Sequence, residues 1–85
     1  MKKYYVYIVK CCDGTLYCGI TNDVAKRIAA HNKWKGAKYT QSRTPVVLLY
    51  TETYDSWVEA ARREYAIKQM KKVEKEKLVA SRQVD

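Results

Sequence analysis

Eighty-five residues leave room for one small core, because a chain of this length buries only about 60% of the surface its unfolded form exposes, and a second catalytic module does not fit. Lys and Arg number 17 against 9 acidic residues, a net charge of +8 spread along the chain rather than gathered in a tail. Such a field points to a polyanion, nucleic acid before an anionic membrane, and with neither a signal-peptide pattern nor an apolar run of spanning length a cytoplasmic chain without a membrane partner is expected.

In chain order, residues 3–10 (KYYVYIVK) and 16–21 (LYCGIT) are β-branched and aromatic, and Asp13-Gly14 between them signals an antiparallel hairpin. Asn22-Asp23 then offers an N-cap to a short helix, VAKRIAAH, on which Arg27 and His31 border the core-facing stripe of Val24 and Ile28. The stretch from Lys33 to Arg43 (KWKGAKYTQSR) reads as a basic loop, and Pro45 introduces a third strand near 46–54. Ser56-Trp57-Val58-Glu59 matches a capping box at the head of a helix running to about Lys72, followed by a helical segment near 74–81. Three strands and three helices are expected. Cys11, Cys12 and Cys18 are too few and too close for a disulfide framework and read as reduced thiols; with His31 they reach four zinc ligands only if adjacent cysteines both bind, so zinc is not expected.

One residue is out of place on this plan. Glu64 falls on the same face of the long helix as Trp57, Ala60, Ala61 and Ile67, where an ionised carboxylate is costly unless paired or bound to a cation. Two readings stand side by side: an ion pair between Glu64 and Arg27 across two helices, or a carboxylate holding a divalent metal while the guanidinium holds a phosphate in the same cleft. Periodicity alone does not choose between them.

Val6-Tyr7, then Tyr17-Cys18-Gly19 ten residues on, then Arg27, His31 and Glu64 in that order resemble the GIY-YIG nuclease domain, over nearly the whole chain from about Tyr4 to Val79. The segments Gly36–Thr40 (GAKYT), Ser42–Tyr50 (SRTPVVLLY) and Arg62–Lys72 (RREYAIKQMKK) make the chain most similar to the small stand-alone bacterial members, which are uncharacterised. The first motif reads Tyr5-Val6-Tyr7, without its glycine, and the asparagine that several members carry a dozen residues beyond the glutamate falls here in Lys75-Glu76-Lys77. The resemblance implies an α/β (α+β) fold, a central three-stranded, mainly antiparallel sheet flanked by helices, in a single domain over residues 1–85 with its core at about 4–79. It also implies a metal-dependent endonuclease that hydrolyses phosphodiester bonds in DNA, in repair or DNA processing. One Mg²⁺ or Mn²⁺ would sit at Glu64, and the DNA, branched or damaged, would be chosen without regard to sequence, with the domain surface or a protein partner selecting it. The alternative is a catalytically silent nucleic-acid-binding module, or nuclease subunit, that keeps the fold.

The same resemblance implies that Tyr7, Tyr17, Arg27, His31 and Glu64 are the catalytic residues. Tyr7 is the expected general base, its phenol acidified by the metal and Arg27, because an unperturbed phenol near pKa 10 is a poor base at neutral pH; His31 would share that task or bind phosphate. Lys33, Lys35, Lys38, Tyr39 and Arg43 of the basic loop, with Trp34, are the candidate nucleic-acid contacts, against the reading of a merely solvated loop. Tyr4, Tyr5, Tyr50 and Tyr54 read as packing residues.

The hairpin register carries a test. A two-residue Asp13-Gly14 turn pairs Cys12 with Thr15, and hence Tyr7 with Ile20, which puts Tyr7 and Tyr17 on opposite sheet faces. The nuclease reading requires them on one face. The expectation is therefore a three-residue loop with Gly14 in a left-handed bulge, with Cys11 pairing with Tyr17 and Tyr7 with Thr21, and with both phenols on the face covered by Arg27 and Glu64.

Overall fold

The structure is a computed structural model that describes residues 2–33 and 43–81. Its elements run β1 (Tyr4–Lys10), β2 (Leu16–Thr21), α1 (Val24–Asn32), β3 (Val47–Tyr54), α2 (Trp57–Lys68) and α3 (Lys72–Ser81). The sheet is antiparallel throughout, in the order β2-β1-β3, so β1 is central and β2 and β3 are edges. Four consecutive residues of β1, Val6 to Val9, are buried, as a strand covered on both faces must be.

Alternation along β1 divides the interior in two. Val6 and Ile8 pack with Cys18, Tyr50, Ala60, Ile67 and Val79 on the face covered by α2 and α3. Tyr7 and Val9 pack with Cys11, Val46, Tyr17 and Ile28 on the face covered by α1. Val6, Ile8 and Ile67 are fully buried, each removal from water contributing about 1.5–3 kcal/mol. The cysteines are free thiols: Cys11 and Cys18 lie in opposite cores, and Cys12 is exposed at the turn.

The helix starts are where capping chemistry places them. The Asp23 side chain accepts from the Lys26 backbone N–H at 3.0 Å, and Ser56 Oγ accepts from the Glu59 N–H at 3.2 Å. The predicted long helix is shorter than expected: α2 closes at Lys68 with Gln69 as its C-cap, and α3 begins at Lys72, where the Glu74 carboxylate accepts from the Lys71 N–H at 2.9 Å. Before β3, Asn32 clamps the chain to α1, accepting from Val46 N–H at 2.7 Å and donating to Val46 C=O at 3.3 Å. Leu49 is an extra residue in β3, since Ile8 faces Tyr50 while Val9 faces Leu48.

The hairpin corrects the expected pairing and keeps its consequence. Gly14 is left-handed at φ 86°, its N–H donates to Cys11 C=O at 2.9 Å, and Cys11 N–H donates to Thr15 C=O at 2.8 Å. The loop is the three-residue Cys12-Asp13-Gly14, but it sets Cys11 against Thr15, so Tyr7 faces Gly19 and Val9 faces Tyr17, two residues away from the expected partners. A slip of two preserves the parity of a period-two strand, and Tyr7 and Tyr17 share the α1 face.

Candidate active site

Tyr7 lies at the centre of that face. Its ring covers Gly19 on the neighbouring strand so closely that a Cβ built there would sit 2.4 Å from Tyr7 Oη and 2.6 Å from Cζ. The glycine of Tyr17-Cys18-Gly19 thus makes the space in which the first tyrosine lies, a use of strand glycine that allows close approach of a neighbour. From α1, His31 Nε2 meets Tyr7 Oη at 2.9 Å and Arg27 Nε donates to it at 3.3 Å. The spacing of four residues puts both side chains on one side of the helix, directed at one hydroxyl. Tyr17 completes the group, its ring centroid 6.4 Å from that of Tyr7 and 5.7 Å from that of His31.

The electrostatics of this cluster are set first by burial. Burial raises the Tyr7 pKa above 10.0, and the hydrogen bond and charge of Arg27 oppose that rise without reversing it. The phenol is not acidified by Arg27 in the protein alone; with Tyr7 at 1% exposure, desolvation of a phenolate outweighs a single guanidinium. His31, at 0% exposure, is pushed below 6.5 by burial and then by Arg27, and is neutral at pH 7. Arg27 donates to the Tyr7 oxygen, and with His31 protonated on Nδ1 the Tyr7 hydroxyl donates to the unprotonated Nε2. Solvent reaches this cluster at Tyr17 and Arg27, which are half-buried; Arg27 lines a cavity of about 190 Å³ with Thr21, Asn22, Asp23, Lys26 and Ala30.

Glu64 comes to the group from the other side of the sheet. It rides on α2, which packs on the face of Val6, Ile8 and Cys18, so the expectation of a single face covered by both Arg27 and Glu64 is corrected. Helical periodicity identifies one face of α2, not the sheet face against which α2 packs. Among the ion pairs of the described residues Glu64 is joined to Lys68, Oε2 to Nζ at 3.4 Å, and not to Arg27. The Lys68 ammonium stands 5.7 Å from the centroid of the Tyr17 ring. Because β2 is an edge strand, these side chains reach round it, and the Glu64 carboxylate is separated from the Tyr17 ring by no more than the sum of those two distances. Cys18, next to Tyr17 in β2, has its pKa pushed up to about 12 by burial and then by Glu64, while Lys68 opposes.

The expected nucleic-acid contacts are placed less fully. Lys33 is exposed at the C-terminus of α1, and Arg43 is engaged at the hairpin tip, its Nε donating to Asp13 Oδ2 at 3.0 Å. Trp34, Lys35, Lys38 and Tyr39 lie outside the described residues.

The sequence reading missed Glu52 and Lys68. Glu52, 8% exposed on β3, takes a two-pronged bond from Arg63 at 2.8 and 3.0 Å, a bond from the Tyr54 hydroxyl at 2.6 Å and another from the Tyr50 hydroxyl. Tyr50 and Tyr54, expected only to pack, also donate. Lys68 was legible as the Lys of a Glu-x-x-x-Lys pair.

The model of the family described as GIY-YIG catalytic domain matches residues 3–77. The chain belongs to the GIY-YIG family. It is 55% identical over 82 residues to a UPF0213 protein of Staphylococcus haemolyticus, covering 96% of this chain and 100% of that one. A UPF0213 protein of Halobacterium salinarum is 55% identical over 75 residues, covering 88% and 97%. The solution NMR structure of a UPF0213 protein from Bacillus halodurans superposes with a TM-score of 0.60 at 46% identity, over 92% of this chain and 83% of that one. A second NMR structure, of a protein from E. faecalis, superposes with a TM-score of 0.67 at 32% identity, over 100% and 91%. This chain is therefore a small GIY-YIG protein of the UPF0213 kind, and no helix among its described residues is long and apolar enough to cross a membrane.

Proposed function

We propose that this GIY-YIG protein is an endonuclease that hydrolyses phosphodiester bonds in DNA with one divalent metal. The observation that carries the reading is the convergence of Arg27 and neutral His31 on the hydroxyl of Tyr7, beside Tyr17, whose ring faces the Lys68 ammonium that pairs with Glu64. Glu64 suits Mg²⁺ or Mn²⁺ because such an ion takes one or two carboxylates and completes its octahedron with water and phosphate oxygens. Among the described residues no group of three or more His, Cys, Asp or Glu could form a closed cage. Bound there, the ion would supply positive charge to the phosphoryl and leaving oxygens.

The protein's own residues then divide the remaining work. Arg27 presents its fork to the scissile phosphate from the half-buried wall of its cavity. The attacking water passes a proton to Tyr7 Oη as the Tyr7 proton moves to His31 Nε2, so the charge is carried by the imidazole and no free phenolate is required. His31 is prepared for this by being neutral. Water reaches Tyr7 from the side of Tyr17 and Arg27.

The near-complete burial of Tyr7 and its raised pKa favour a second reading, a catalytically silent DNA-binding module. A nicking and cleavage assay on duplex, single-stranded and branched DNA, with and without Mg²⁺ or Mn²⁺, separates the two. Metal-dependent cleavage by the wild type that is absent from Glu64→Gln supports the nuclease, whereas binding without cleavage by the wild type supports the silent module. Under either reading the charge of +8 predicts DNA binding that weakens with salt, with a log-log slope of about −0.9 per phosphate contact.

A further inference from the structure

Lys68 occupies a position that the nuclease reading leaves unused. Its ammonium stands against both parts of the divided site: it is paired with the Glu64 carboxylate at 3.4 Å and faces the Tyr17 ring at 5.7 Å, within the cation–π range of about 6 Å. An ordinary surface pair of Glu and Lys one helical turn apart has no such third partner. The Glu64 side chain is 23% exposed and Lys68 46%, so the carboxylate is the sheltered member and the ammonium comes to it from solvent.

We propose that Lys68 is a built-in competitor for the metal position, holding Glu64 in the free protein and giving it up when a divalent cation binds. The inference rests on the metal role assigned to Glu64 above. An ammonium and a hard divalent cation seek the same carboxylate oxygens, and with both signs of charge fixed so closely the cation must either displace the lysine or endure its repulsion. Tyr17 gives the displaced ammonium a place to remain, over a ring on the edge strand beside the incoming phosphate. The free protein would then hold metal weakly, and metal and DNA would strengthen each other's binding, since a phosphate can take the ammonium that the metal releases.

The test is Mn²⁺ binding followed by electron paramagnetic resonance on the wild type, Lys68→Met, Lys68→Arg and Glu64→Gln, without DNA, so that no cleavage enters the measurement. Lys68→Met is expected to bind Mn²⁺ about three- to tenfold more tightly than the wild type, since an attractive pair and a like-charge repulsion are both removed. Lys68→Arg should stay near the wild type, and Glu64→Gln should lose the site. Unchanged or weaker binding in Lys68→Met, alongside wild-type binding that depends on Glu64, overturns the role of Lys68 and leaves the metal reading standing. Absence of Glu64-dependent binding in both the wild type and Lys68→Met overturns both. Lys68 is half-exposed, and a circular dichroism melt of each variant checks that the fold is kept.

Discussion

Two acid–base pairs meet at consecutive residues of α2, Arg63 and Glu64, and they are built differently. Glu52, held from β3 against Arg63, accepts four hydrogen bonds, two from Arg63 and one each from Tyr50 and Tyr54. A carboxylate has about four acceptor sites, so every one is filled. Glu64, the residue after Arg63 on the helix, has among the described residues the Lys68 ammonium at 3.4 Å and a side chain that solvent partly reaches. A carboxylate that is saturated and buried stabilises the fold and has nothing left to offer a ligand; one that is loosely paired at a sheet edge contributes little to the fold and remains available. The comparison shows why a saturated, buried carboxylate is a poor ligand for a cation.

The largest way to break the comparison is Glu52→Ala. Removing one partner of a buried network leaves the Arg63 charge and two phenols without their acceptor, and a loss of about 2–4 kcal/mol is expected, a fall in Tm of roughly 10 °C or more for a domain of this size. A loss comparable with that of Glu64→Gln, for which about 0.5 kcal/mol or less is expected, would mean that the two pairs are alike. Urea and thermal melts of both variants decide it.

Gly19→Ala tests the α1 face in the same way. Its Cβ would stand 2.4 Å from a hydroxyl held by His31 and Arg27, so the ring must move and the contacts loosen, at a cost of about 1–3 kcal/mol. The imidazole signals of His31 in a nitrogen-15 NMR spectrum should shift with it. An unchanged spectrum and Tm would show that Tyr7 is not fixed in place.

A smaller effect separates the two faces by pH. The His31 pKa is lowered in the folded state, so the unfolded chain binds the proton first, and stability falls as pH drops below 6.5 toward the folded value. Glu52 is also lowered, the donors Arg63, Tyr50 and Tyr54 outweighing the burial that acts against them, so its stabilisation is present above 4.5 and is lost as pH falls further. Denaturant stability measured against pH should therefore decline in two stages, each with a slope of at most about one proton, the upper stage missing from His31→Gln and the lower from Glu52→Gln. The smallest change is expected from Asp55→Asn, which removes an exposed partner of Lys3 and should leave Tm within the scatter of the measurement.

Strand and helix existence, the two N-caps and the left-handed Gly14 follow from local chemistry, and local chemistry is written in consecutive residues: Asp23 and Ser56 cap because their own side chains reach a backbone N–H three residues on. The candidate site residues on β1, β2 and α1 follow from the resemblance to the GIY-YIG domain, and the 3.6-residue period of α1 adds that Arg27 and His31 border one side of that helix. The parity of the hairpin follows from the nuclease reading's need for both tyrosines on one face, since Asp13-Gly14 by itself also allows the two-residue turn that separates them.

What the tertiary structure decided concerns elements far apart in sequence. Periodicity shows that Glu64 lies on a semi-apolar face of α2, but not that α2 covers the side of the sheet away from Tyr7; that is settled by how β1 divides its apolar side chains between two layers. Nor does any local signal pair Glu52 with Arg63, or bring Lys68 round the β2 edge to Tyr17. The direction of the Tyr7 and His31 pKa shifts belongs to the same class, because desolvation is set by everything packed around a group and not by its neighbours along the chain.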